Sequence, residues 1–190
     1  MGSSQPPLLE NATRDLAAFA SRLRFEDIPS AAVERIKDSA LDSVGCCLHG
    51  VTLPWTRKVQ EMVLAEGAAP AASIFGGGGK TSVSQAVLVN ATAGHAFELD
   101  DIHKESIVHP GSLALPVGIG LAEAAGGVRG RDLITAMVAG YEVGTGGGNA
   151  GNRIQNRMQQ GNTYTTTEQR CQTVYDSHEK QVGYDVRYRL

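Results

Sequence analysis

Residues 95–112 read His-Ala-Phe-Glu-Leu-Asp-Asp-Ile-His-Lys-Glu-Ser-Ile-Val-His-Pro-Gly-Ser and hold three of the chain's five histidines with four carboxylates. Imidazoles exchange protons near neutral pH, and neighbouring carboxylates can orient them, so this segment has the residue types of general acid–base chemistry. His109 precedes Pro-Gly-Ser, which opens a predicted helix. The free N–H groups of a helix N-terminus attract anions, which makes His109 a candidate for holding a substrate carboxylate or delivering a proton. Glu98 and Asp101 are three residues apart and read as one face at the end of the preceding helix. Carboxylates there oppose the helix dipole and need a basic partner, a proton or a function to compensate. His103 and Lys104 are candidate cations for an acidic substrate, and Ser112 adds a hydroxyl.

The rival chemistry is metal binding. His95, His103 and His109 with nearby carboxylates could ligate zinc or iron. No His-x-x-x-His or Glu-x-x-His spacing occurs, so the expectation is no metal. Gly76–Gly79 followed by Lys80-Thr81 resembles a phosphate loop, but Ile74 stands where the Walker pattern needs glycine, and a turn is the better reading. Cys46-Cys47 lies within a predicted helix without a flanking base and reads as core packing.

The elements around this segment read as helices. The first opens near Asn11–Thr13 and presents Leu16, Phe19, Ala20 and Leu23. The second opens at Pro29-Ser30, carries Val33, Ile36, Ala40, Leu41, Val44 and Leu48 at three- and four-residue spacings, and stops at Gly50. A third runs from Trp55 to about Ala65, and Ala72–Phe75 is a short extended piece. The fourth, about Ser82 to Leu99, and the fifth, Pro110 to Gly126, are apolar nearly all round, which predicts burial among other helices. A sixth covers Asp132–Tyr141. Long helices, short joints and almost no strand pattern predict an all-α domain.

The chain has 190 residues, 42% hydrophobic and 19% charged, with a net charge of −3. That supports a packed core and argues against general nucleic-acid binding. No apolar run is long enough to span a membrane. No clear targeting signal opens the sequence, and three cysteines make no disulfide framework, so an intracellular place, cytoplasmic or mitochondrial, is expected. All 23 alanines fall in residues 1–150, while residues 151–190 hold four of the five tyrosines. Such a shift marks a boundary. Residues 10–147 read as the helical domain, and 148–190 as a divergent, poorly ordered tail with a short strand near Gln172–Tyr175. A flexible C-terminus and a departure from the true reading frame near Gly146 both account for it.

Asp27-Ile-Pro-Ser-Ala-Ala-Val-Glu-Arg-Ile-Lys-Asp-Ser-Ala-Leu-Asp-Ser-Val-Gly resembles the opening helices of the MmgE/PrpD family, which includes 2-methylcitrate dehydratases and cis-aconitate decarboxylases. Gly94-His-Ala-Phe-Glu-Leu-Asp-Asp, His109-Pro-Gly-Ser and Leu115-Pro are similar to the family's active-site segment, and Tyr141-Glu-Val-Gly to the end of a later family helix. Pro54-Trp55 is similar to the fungal decarboxylase branch. The resemblance implies the N-terminal part of a large helical domain and a cofactor-free lyase acting on a small tricarboxylate, cis-aconitate decarboxylase-like or 2-methylcitrate dehydratase-like. It also implies a homodimer in full-length relatives. It places His109 on an active-site histidine, Glu98 on an active-site aspartate and Asp101 on the family's acidic pair. Ile102 stands where one branch has an active-site threonine. The family's later His-Pro-Thr-Gly-like segment, lysine and histidine have no match in residues 151–190; His178 has different neighbours. A non-catalytic helical remnant or dimerisation module is the alternative.

Overall fold

A computed structural model describes residues 12–104 and 106–157. Among these residues six α-helices, α1 (Ala12–Arg22), α2 (Ser30–Gly50), α3 (Pro54–Glu66), α4 (Val83–Gly94), α5 (Gly111–Ala124) and α6 (Gly130–Arg157), accompany one two-stranded hairpin, β1 (Ala72–Ser73) with β2 (Lys80–Thr81). The Asn11 cap, the Glu105 loop residue, the strand near Gln172–Tyr175 and His178 lie outside the described residues.

Local chemistry sets most boundaries. Pro54 occupies the first turn of α3, where a missing N–H costs nothing, and Gly67 closes that helix at φ 66°. Ser82 caps α4 by accepting the Gln85 N–H at 3.4 Å. Pro29 rather than Ser30 takes the cap position of α2. The glycines of residues 76–79 turn the hairpin, with Gly76, Gly77 and Gly79 all at positive φ.

Two apolar clusters hold the helices. Ile28, Val33 and Ile36 meet Leu115, Met137, Val138 and Tyr141 where α2, α5 and α6 converge. Val63, Ala72, Ile74, Ala86 and Val89 join α3 and β1 to α4. Asn90 ties the hairpin to α4: its side chain accepts from the Phe75 N–H and donates to the Ser73 carbonyl, both at 2.9 Å. Cys46 and Cys47 are buried, as core packing requires; burial pushes their thiols up to about 11 and about 12.

Three expectations change. α4 stops at Gly94, not Leu99, so Glu98, Asp100 and Asp101 belong to the following loop and the shared helix face of Glu98 and Asp101 does not exist. α6 continues to Arg157, well past Tyr141. Its glycines weaken helix propensity, but Gly146 lets Leu16 of α1 pack close, and tertiary packing prevails over propensity. The all-round burial expected of α4 and α5 is not met among the described residues: Leu88, Leu113, Val117 and Leu121 are exposed, the last three spaced four apart along α5.

Candidate active site

The site is built where the end of α4 meets the start of α5. Two glycines permit this approach. A side chain at Gly50 would overlap the Ala93 carbonyl, so α2 and α4 touch backbone to backbone there. A Cβ on Gly94 would lie 3.3 Å from both Cys47 Sγ and Ser112 Cβ. The next residue, His95, therefore emerges beside the first turn of α5. The Trp55 indole N–H holds the chain just beyond it, donating to the Ala96 carbonyl at 3.1 Å. Glu98 then turns the backbone through a left-handed conformation, φ 54°, and the loop folds back under the helices.

Asp100 lies at the centre of the result. Its side chain is 0% exposed, and two imidazoles converge on it. His95 Nδ1 is 3.0 and 3.2 Å from the two carboxylate oxygens, and His109 Nδ1 is 3.3 Å from Oδ1. The rings lie 4.4 Å apart, centroid to centroid, tilted by 55°. The two side chains are 44% and 25% exposed, so the paired imidazoles open outward from a buried carboxylate. His95, His109, Ser112, Trp55, Ile107 and Leu113 border a groove of about 660 Å³. A carboxylate on the Nδ1 side of an imidazole fixes the ring's orientation and leaves its other nitrogen to face a reactant.

Asp101 points the other way, into the protein. Its Oδ1 accepts the Gly111 N–H at 2.9 Å, and the Tyr141 hydroxyl stands against it. One N–H at the start of α5 is thus taken by the chain's own carboxyl group. Burial raises its pKa to about 6, against the lowering effect of Tyr141 and the Gly111 amide and with smaller upward pushes from Asp100 and Asp42. The Tyr141 hydroxyl, among Ser39, Ser43 and Asp101, is raised well above its ordinary value, first by burial and then by the charge of Asp101.

The remaining candidates spread out. His103 is buried, bridges to Val108 through its backbone and meets the Ser106 hydroxyl through Nδ1. Glu98 and Lys104 are exposed on the loop. Ser112 is buried at the groove, and its hydroxyl donates to the His109 carbonyl at 3.0 Å. The structure thus joins His109 to His95, which the sequence offers only as a metal ligand, and to Asp100, which it does not single out for the lyase site. Their only signal was proximity in a short segment, because the pairing depends on a loop that doubles back.

Residues 14–167 match the family model for the MmgE/PrpD N-terminal domain. Cis-aconitate decarboxylase of Aspergillus terreus is 33% identical over 136 residues, 70% of this chain and 28% of that protein. Cis-aconitate decarboxylase-like protein oryM of Aspergillus oryzae is 29% identical over 146 residues, 74% of this chain and 30% of the relative. A separate, short likeness, 60% identical over 37 residues, covers 20% of this chain and 21% of the uncharacterized protein YcfJ of Escherichia coli K12. The chain spans less than a third of the length of the decarboxylase relatives. No helix among the described residues is long and apolar enough to cross a membrane. With the helical architecture, the loop from His95 to Ser112 and a family match over most of its length, this chain belongs to the MmgE/PrpD family.

Proposed function

We propose that these residues form the N-terminal part of a cofactor-free lyase acting on a small tricarboxylate, cis-aconitate decarboxylase-like, which converts cis-aconitate to itaconate. The observation that carries this reading is the pair of imidazoles on one buried carboxylate at the edge of a groove. Decarboxylation breaks a carbon–carbon bond, releases CO₂ and requires a proton at carbon; a histidine backed by a carboxylate supplies such a proton. His109 binds a substrate carboxylate or delivers that proton. Asp100 orients His95 through hydrogen bonds and places its charge 3.3 Å from His109 Nδ1. Asp101 is a positioning residue that fastens the loop to α5. Glu98, Lys104 and His103 lie around the loop, and the further positive charge that a tricarboxylate demands comes from parts of the enzyme beyond this segment. In this reading full-length relatives form a homodimer.

The test is product analysis with cis-aconitate and with 2-methylcitrate, using a full-length relative that carries this His-Asp-His arrangement. Itaconate formation, abolished by replacing the histidine corresponding to His109, supports the proposal. 2-Methylaconitate alone would assign a 2-methylcitrate dehydratase-like reaction instead, and no turnover of either substrate would overturn the lyase reading. A second reading, a non-catalytic helical or dimerisation module, is favoured by the exposed Leu113, Val117 and Leu121 along α5. Turnover of cis-aconitate or 2-methylcitrate by such a relative, lost on replacing the histidine corresponding to His109, would exclude it.

A further inference from the structure

We propose that His95, Asp100 and His109 together form a binding site for one divalent transition-metal ion, zinc or cobalt. One nitrogen or oxygen from each of the three lies within 4.8 Å of the others. A tetrahedral zinc ion bonds nitrogen and oxygen at about 2.0–2.2 Å, which sets neighbouring ligand atoms about 3.3 Å apart. The His95 Nδ1–Asp100 Oδ1 separation is 3.0 Å and the His109 Nδ1–Asp100 Oδ1 separation is 3.3 Å, so two edges of such a tetrahedron are already formed. The third edge, between the two imidazoles, lies within 4.8 Å, and binding requires the half-exposed His95 ring to turn out of its hydrogen bond with Asp100.

A second observation points to a cation at the same place. His109 Nδ1 is buried without a hydrogen-bond partner, although a carboxylate oxygen lies 3.3 Å away. The nitrogen faces the carboxylate out of line for a hydrogen bond, and buried nitrogens are seldom left so. An ion between them would satisfy the lone pairs of both. The donor set of two imidazoles and one carboxylate is that of borderline metals rather than of calcium or magnesium, which prefer oxygen. The fourth position faces the groove, where water or an anion completes the shell. His103 stays out of the set, because Ser106 holds its Nδ1. The site is independent of the lyase reading. Within that reading, the ion displaces the protons that His95 and His109 would use, and it acts as an inhibitor.

The experiment is titration of the full 190-residue chain with cobalt(II) chloride and with zinc chloride, without substrate. It is read by the visible absorption of tetrahedral cobalt and by calorimetry. The expected result is one ion per chain, with His95→Gln and Asp100→Asn, each removing a direct ligand, weakening binding by more than the roughly 10- to 100-fold that loss of an outer partner costs. His49→Gln, which removes a histidine packed on Phe97, leaves binding unchanged. His95 is far enough exposed for His95→Gln to keep the fold, checked by circular dichroism, so it decides the matter even if Asp100→Asn unfolds. Absence of saturable binding, or binding equal in wild type and His95→Gln, overturns the proposal. Because no substrate is present, that result leaves the lyase reading standing, and lack of turnover in a relative leaves the metal site standing.

Discussion

Replacing Asp101 with asparagine should remove a pH dependence of folding stability that the wild-type chain carries. Burial lifts the Asp101 carboxyl from 3.8 to about 6. The folded state therefore holds a proton that the unfolded chain has already released between those values. Stability contributed by this group is present below pH 3.8 and is lost as pH rises through 6, because the unfolded chain binds fewer protons in that window. Ionising the group in the fold costs about 3 kcal/mol more than ionising it in the unfolded chain. Integrated from about pH 4.5 to about pH 7, the loss is about 2 kcal/mol. The Asp101→Asn variant would keep an amide oxygen for the Gly111 N–H and has no proton to lose. Urea denaturation of both proteins at the two pH values isolates the effect, since other carboxylates contribute alike to each. The wild type should lose about 2 kcal/mol relative to the variant on going to the higher pH. Equal losses in the two proteins would refute the assignment of Asp101 as a buried, proton-retaining carboxyl.

The remaining predictions concern activity and packing. The 190 residues alone should turn over cis-aconitate at least about 100-fold more slowly than a full-length relative, because catalytic groups that act together fail together and this loop is itself rich in carboxylates. Itaconate measured by chromatography checks this, and robust turnover abolished by His109→Ala would contradict it. Gly50→Ala should destabilise the chain by about 1–3 kcal/mol, since its methyl group meets the Ala93 carbonyl and the two helices must part. A urea midpoint unchanged from wild type would show that the crossing is looser than described.

The helices were legible because their signals are local. Ser82, Pro54 and Gly67 act through the chain immediately around them. The end of α4 was not legible, because Ala96, Phe97 and Leu99 continue an apolar pattern that the backbone abandons. What stops the helix comes from elsewhere: Trp55 takes the Ala96 carbonyl, and His95 turns to Asp100. The glycines after Tyr141 misled in the opposite sense, since only the packing of α1 shows why a helix survives there. His109 was visible in the sequence through the Pro-Gly-Ser that follows it. The dependence of His109 on Asp100, and of Asp101 on Tyr141, joins positions brought near only by the closed loop and by α6.

Gly111 stands where these connections cross. A Cβ there would fall 2.5 Å from Asp101 Oδ1 and 2.8 Å from the Tyr141 hydroxyl, and would collide with Ser43 Oγ. Residues from α2, the loop and α6 thus close around one peptide group, whose N–H is held by Asp101. For that proton to reach water, the loop must leave α5 while α2 and α6 still crowd it. Local fraying does not suffice. In deuterated solvent, the Gly111 amide should be among the last to exchange, at a rate set by global unfolding rather than by loop motion. That one proton then serves as an internal clock for the opening of the whole site.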